Sequence, residues 1–331
     1  MLNQTSQKVR AMDSRARVIT VTPAPSIDRT YVVDVLELGG VHRASSATAD
    51  FAGKGVNVTQ ALTLAGVASE AIVPLTPEDA AQYCSEPAIR ASLSSQTVRH
   101  NITVIEPGGR TTKVNAVAPE LTAPEWHALH TEAMSRLRTH HSEWLLVAGT
   151  LPAGQSELAQ ALMREASFAG LLVALDTSGD ALIESARSGV PDFVKPNAAE
   201  LAECVGFTLA TIGDVLRATR ELISWGIKNV AVSLGPDGIV GASESHAIHA
   251  WTEPLVVRNT IGAGDASVAG FLSHQVHSPG DLPGAIRQAV QWGAQKVQQP
   301  GSQLEHFDSP PKVLSSVEPD LDRRLAEPGI V

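Results

Sequence analysis

Short, uninterrupted apolar runs separated by segments of helical spacing constrain this chain more than any other feature. The runs are Val18-Ile19-Thr20-Val21, Trp144 to Ala148, Leu171 to Asp176, Phe193-Val194 and Asn229 to Val232. A strand that is apolar on both sides cannot face water, so both of its faces must be covered. Helical crossovers between such strands give a parallel sheet with helices on both faces. Ligands of such sheets gather beyond the carboxyl ends of the strands. The segment Val56 to Ala65 has helical spacing and ends at Gly66, a C-terminal capping glycine.

A second group of runs does not fit that sheet. Tyr31 to Val35, His42 to Ala49, Val98 to Glu106 and Arg110 to Val117 alternate with polar residues. The last two flank Glu106-Pro107-Gly108-Gly109, a turn cluster. These runs predict a small separate sheet from insertions at about 29–50 and 97–118, within one domain spanning 17–315. The polar segments 1–16 and 316–331 read as disordered tails. The chain of 331 residues carries a net charge of −10, which argues against a nucleic-acid or membrane surface. An acidic chain that binds phosphates must gather its cations locally, and Lys54, Arg99, Lys113 and Lys195 are the candidates. Cys84 and Cys204 lack metal spacing and read as reduced thiols of a cytoplasmic protein. The histidines form no zinc pattern, and there is no Walker A string.

The segment Asn259-Thr260-Ile261-Gly262-Ala263-Gly264-Asp265-Ala266 follows the extended apolar run Leu255-Val256-Val257 and opens a helix. A Gly-rich turn there aims backbone N–H groups at one point, and the helix dipole adds positive potential. Asp265 stands where it could take a proton from a hydroxyl attacking a phosphoryl group. Taken alone, the string reads equally well as a Gly turn with a capping Asp.

Thr260 to Asp265 resembles the C-terminal signature of the PfkB (ribokinase-like) family of sugar kinases. Five further segments, in family order, are similar to its motifs: Thr22 to Asp28, Ala52 to Val58, Ala148 to Pro152, Val194 to Glu200 and Val232 to Gly238. The resemblance covers about residues 18 to 305. It implies a ribokinase-like α/β fold, a central mostly parallel sheet with helices on both faces, in which the small sheet is a lid over the sugar and a homodimer contact. It implies ATP and Mg²⁺, and the nearest branch acts on phosphorylated ketohexoses. The leading reading is conversion of fructose 1-phosphate to fructose 1,6-bisphosphate. Tagatose 6-phosphate or fructose 6-phosphate kinase is the alternative within the class, and an inactive sugar-phosphate sensor the alternative outside it.

The resemblance also implies roles. Asp265 is the catalytic base, and Gly262, Ala263 and Gly264 hold the transferring phosphoryl group. Asp28, Gly53, Asn57, Asn101 and Thr150 face the sugar. Lys54 and Arg99 converge on its existing phosphate. Lys113 is a third phosphate contact or a solvated hairpin lysine. Lys195, Asn197, Ser233, Gly235, Gly238 and Thr260, together with Gly262 and Gly264, line the nucleotide. Glu200 organises Mg²⁺ through water, and Asp176 is expected to join it. Pro74 to Ser95 replaces a Gly-rich stretch of many relatives, and Ala116-Val117-Ala118-Pro119 stands where they often have a Gly-Pro-Gly-like turn.

Overall fold

In the computed structural model, residues 16–84, 88–152 and 154–331 are described. In chain order they form β1 (Val18–Val21), β2 (Ser26–Val32), β3 (Ser46–Ala52), α1 (Lys54–Leu64), β4 (Ser69–Leu75), α2 (Pro77–Tyr83), β5 (Ile89–Leu93), β6 (Arg99–Ile105) and β7 (Thr111–Val114). Then follow α3 (Ala123–His140), β8 (Trp144–Ala148), α4 (Ser156–Phe168), β9 (Leu172–Asp176), α5 (Gly179–Arg187), β10 (Phe193–Val194), α6 (Ala198–Val205), β11 (Leu209–Thr211), α7 (Ile212–Ser224) and β12 (Asn229–Ser233). The chain ends with β13 (Ile239–Ser243), β14 (Ala247–Thr252), α8 (Ala263–His277), α9 (Leu282–Val297), β15 (Val313–Ser316) and β16 (Arg324–Gly329).

The apolar runs become the middle of the central sheet, in the order β15-β14-β13-β12-β10-β9-β8-β1-β4-β5 among the described residues. From β12 to β5 every pairing is parallel, and β13, β14 and β15 close one edge antiparallel. The sheet progresses outward from β1 in one direction through β4 and from β8 in the other. That reversal opens a crevice at the carboxyl ends. Leu129, Leu162, Leu201 and Leu216 of α3, α4, α6 and α7 cover one face. Val58, Phe271 and Ile286 of α1, α8 and α9 cover the other.

Local chemistry fixes several boundaries. Thr122 and Glu125 form a reciprocal capping box at the start of α3, with Pro124 in the first turn. Helix α1 stops at Ala65–Gly66, where Gly66 takes a φ of 79°, as the sequence predicts.

The separate small sheet is present, in the order β3-β2-β6-β7. Its strands start and stop a few residues away from the expected runs. Strand β2 begins at Ser26 and β3 at Ser46, so His42 lies in a loop. Register places Ser26 against Arg99 and Asp28 against Asn101, and Thr103 against Lys113. Side chains alternate across a strand, so Asp28, Arg99, Asn101 and Lys113 share one face of the lid. Ile27, Val56, Leu75 and Val98 form an apolar cluster where the lid meets the main body.

The extended run Leu255-Val256-Val257 lies outside the strands, with Val256 and Val257 exposed. One sequence expectation is corrected. The expected C-terminal tail is ordered. Strand β15 completes the central sheet and β16 pairs with β11, because Leu325 has an apolar core to enter. Residues 1–15 of the expected N-terminal tail, and 85–87 of the Pro74–Ser95 segment, lie outside the described residues. Among the described residues no helix is long and apolar enough to cross a membrane.

Candidate functional site

The six motif segments meet at the carboxyl ends of the central strands. Asp265 is in the first turn of α8, 8% exposed. The helix starts at Gly262, whose φ of 79° is left-handed. A Cβ there would overlap the Ser302 carbonyl oxygen, so the turn needs glycine on two counts. The first-turn N–H groups of Gly264 and Asp265 have no carbonyl a turn earlier to bond, and the helix dipole points the same way. The Ala263 N–H donates to the Thr260 carbonyl at 3.3 Å, so it is partly taken up by the turn itself.

Asn57, in the first turn of α1, donates from Nδ2 to Asp265 Oδ2 at 2.7 Å. Sequence reasoning placed Asn57 toward the sugar, and the structure gives it the Asp265 carboxylate. Burial pushes the Asp265 carboxyl up to about 6, the Asp176 charge adds to this, and Lys54, Asn57 and Lys195 pull it back. A carboxyl so placed is ionised at neutral pH yet basic enough to accept a proton.

Asp176, at the end of β9, is 1% exposed. Lys54 Nζ donates to its Oδ1 at 3.0 Å, and Lys195 Nζ lies 3.8 Å from the same oxygen. Burial opposes the Asp176 charge, but Lys195 and Lys54 hold its carboxyl below the usual range. Burial also opposes the Lys54 ammonium, and Asp176, Asp265 and Glu200 together hold its pKa above the ordinary lysine value. Lys54, expected with Arg99 at the sugar's existing phosphate, makes an ion pair with Asp176. Asp176, expected to face the metal from its strand end, is counter-ion to two lysines through Oδ1, and its Oδ2 is buried without a hydrogen-bond partner among the described residues. A Cβ on Gly264 would come 3.4 Å from Lys195 Nζ, which puts that ammonium beside the anion turn.

Arg99 stands on the lid rim. Its Nη1 donates to the Ala116 carbonyl at 2.9 Å, and its Nη2 to the Ala24 carbonyl and Thr150 Oγ1 at 3.3 and 3.4 Å. Its Nε is buried without a partner among the described residues. Burial lowers the Arg99 pKa, and Asp28 works against that. Asp28 Oδ1 accepts from Ser26 Oγ at 2.8 Å and from Asn101 Nδ2 at 3.0 Å. Lys113 is exposed at the edge of the same face. Gly53 caps α1, and the close approach of this turn to β1 leaves no room for a Cβ on Gly55 beside Thr22.

On the other side, Asn197 caps α6 and forms a reciprocal capping box with Glu200, whose Oε2 accepts the Asn197 N–H at 2.8 Å. Ser233 bridges to Asn197 and leads into the Gly235–Gly238 loop. Thr260 is exposed. Among the described residues no group of three or more His, Cys, Asp or Glu side chains is gathered to cage a metal.

One residue escaped sequence reasoning. Lys296 of α9 is wholly buried, and its Nζ donates to the Asn259 carbonyl at 3.2 Å. Its stem packs against Gly262. Burial lowers its pKa to about 8, with Glu305 and Asp265 opposing. The signal was available: Ala285, Ala289, Trp292 and Lys296 fall on one stripe of α9, so the lysine sits at a core position.

The arrangement matches the profile of the pfkB family carbohydrate kinases over residues 21–307. This chain belongs to that family. It is 32% identical to a 1-phosphofructokinase of Rhodobacter capsulatus over 263 residues, 77% of this chain and 83% of that protein. It is 27% identical to the ATP-dependent 6-phosphofructokinase isozyme 2 of Escherichia coli (strain K12), over 90% of this chain and 98% of that protein. The crystal structure of phosphofructokinase-2 from Escherichia coli in complex with potassium superposes with a TM-score of 0.80 at 27% identity, covering 88% of this chain and 96% of that one. The pfkB kinase is thus an ATP-using phosphotransferase with a carbohydrate hydroxyl as acceptor. Its fold is ribokinase-like, as the motifs implied.

Proposed function

We propose that this pfkB kinase phosphorylates a phosphorylated ketohexose, with fructose 1-phosphate converted to fructose 1,6-bisphosphate. The observation that carries the reading is the buried Asp265 carboxylate at the start of α8, held by Asn57 and poised near pH 6. The sugar hydroxyl loses its proton to Asp265 as its oxygen bonds to the γ-phosphorus, and the bond from that phosphorus to the ATP bridging oxygen breaks, releasing ADP. The α8 N-terminus receives the equatorial oxygens of the transferring group. Lys195 and Lys54 add positive charge beside it. Asp28 and Asn101 accept and donate to sugar hydroxyls, and the unpartnered Arg99 Nε is the donor for the phosphate the sugar already carries.

Glu200 and the nucleotide phosphates fit a hydrated Mg²⁺, an ion that keeps several waters and needs only one or two carboxylates. When bound, it neutralises charge on the phosphates. Asp176 Oδ1 is engaged by Lys54, while its Oδ2 is buried without a hydrogen-bond partner among the described residues. Ile102 and Val114 pair on the outer face of the lid and are exposed, which supports a homodimer through that sheet.

The 1-phosphofructokinase relatives favour fructose 1-phosphate, and the Escherichia coli relative named for 6-phosphofructokinase favours fructose 6-phosphate. A coupled ADP-release assay over fructose 1-phosphate, fructose 6-phosphate, tagatose 6-phosphate and fructose decides. The highest kcat/KM is expected for fructose 1-phosphate and the lowest for fructose. Equal use of fructose and its phosphates would overturn the reading.

A further inference from the structure

The family profile ends at residue 307, yet the chain continues as an ordered strand. Strand β16 pairs antiparallel with β11, and the Ile212 and Gly213 N–H groups donate to the carbonyls of Arg323 and Leu321 at 3.0 and 2.9 Å. Its side chains reach the loop after β12. Asp237, at the centre of that loop, is 7% exposed. Its Oδ1 accepts from Arg323 Nη2 at 3.0 Å, and its Oδ2 accepts from the Ala326 N–H at 2.7 Å. Among the described residues these two C-terminal groups are the partners of that carboxylate. The loop closes around it through the Leu234 N–H on the Gly238 carbonyl at 2.8 Å. Glu327 Oε2 lies 2.7 Å from where a Cβ on Gly235 would stand, and Gly329 packs on the Ala198 carbonyl at the start of α6. One strand therefore touches both the Ser233–Gly238 loop and the helix start beside Asn197 and Glu200.

We propose that β16 is a positioning element of the nucleotide site, and that Arg323 is the residue that sets the Ser233–Gly238 loop. The inference rests on reading that loop as nucleotide-contacting. A buried carboxylate that loses its cation is left uncompensated. Without Arg323 the loop must open to hydrate Asp237, and its backbone groups leave the line of the nucleotide. The sugar side, built on β2, β6 and α1, has no part in this contact.

The test uses the full-length chain with Arg323→Met, Arg323→Lys and Asp237→Asn, each read for ATP affinity by titration and for both KM values. Arg323→Met is expected to raise the ATP KM and dissociation constant about tenfold, as loss of one charge-assisted hydrogen bond would. The phosphosugar KM should stay within about twofold. Arg323→Lys should recover part of the loss, and amide exchange in residues 233–238 should quicken only in the weakened variants. Asp237→Asn keeps the shape and the Ala326 contact, and should raise the ATP KM by a smaller factor, about threefold. The double variant should be no worse than Arg323→Met alone, because both act through one pair. Unchanged ATP affinity in Arg323→Met, or an equal rise in both KM values, would overturn the proposal. A parent chain that binds no ATP would remove the kinase reading itself, and this proposal with it.

Discussion

On the floor of the cleft, Asp176, Lys195 and Asp265 are buried and answer one another's charge. On the lid, Asp28 and Arg99 remain partly open to water, Asp28 accepting from Ser26 and Asn101, and Arg99 donating to the Ala116 and Ala24 carbonyls and to Thr150. A buried charged network is costly to assemble, but once assembled it does not reorganise during the reaction. Open groups on a small sheet are cheap to hold and free to rearrange around a ligand. Changes on the floor should therefore be felt in kcat, and changes on the lid in KM for the sugar.

Asp265→Asn is the severest test of that division. It should lower kcat by at least ~10², because a positioned general base is worth ~10²–10⁴. Sugar and ATP binding should persist in calorimetric titrations. A variant within threefold of the parent would take the base role away from Asp265.

The lid should respond differently. Arg99→Ala is expected to raise KM for fructose 1-phosphate by roughly 10- to 100-fold, the worth of one charge-assisted phosphate contact. The ATP KM should hardly move. If steady-state kinetics showed only ATP weakened, the phosphosugar side would have been assigned to the wrong surface.

pH sharpens the floor further. Asp265 must be ionised to act, so kcat/KM should fall about tenfold per pH unit below about pH 6, where its carboxyl titrates. The same group bears on stability with the opposite benefit. Its folded pKa of about 6 stands above the ordinary 3.8, so ionisation disfavours the fold. The penalty is absent below the ordinary value and grows as pH rises through about 6. Asp265→Asn should therefore stabilise the chain by about 1–3 kcal/mol at pH 7–8, and by little near pH 3. Thermal melts at both pH values measure it, and an inactive variant that melts lower at neutral pH would contradict the account. Lys113→Ala marks the small end. An exposed lysine at the lid edge should change the phosphosugar KM by less than about threefold.

The sequence by itself determined what depends on near neighbours. The apolar runs fixed the central strands, because a strand buried on both faces has no polar alternation to display. The Thr260–Asp265 string determined a glycine turn feeding a helix, since it is settled within a few residues. The polar alternation of the lid strands likewise set them apart from the central sheet. Only the tertiary structure decided how charges from distant strands pair. Lys54 meets Asp176 across 122 positions and Asn57 meets Asp265 across 208, through strand order that periodicity does not encode. Lys296 was concealed because its long stem lies inside while its type suggests a surface. The C-terminal segment reads as a tail from its prolines and charges, yet burial of Leu325 and the Arg323–Asp237 ion pair hold it in place. Composition records how willingly a segment meets water; a partner edge at β11 and a buried carboxylate waiting for a cation made folding the lower free energy.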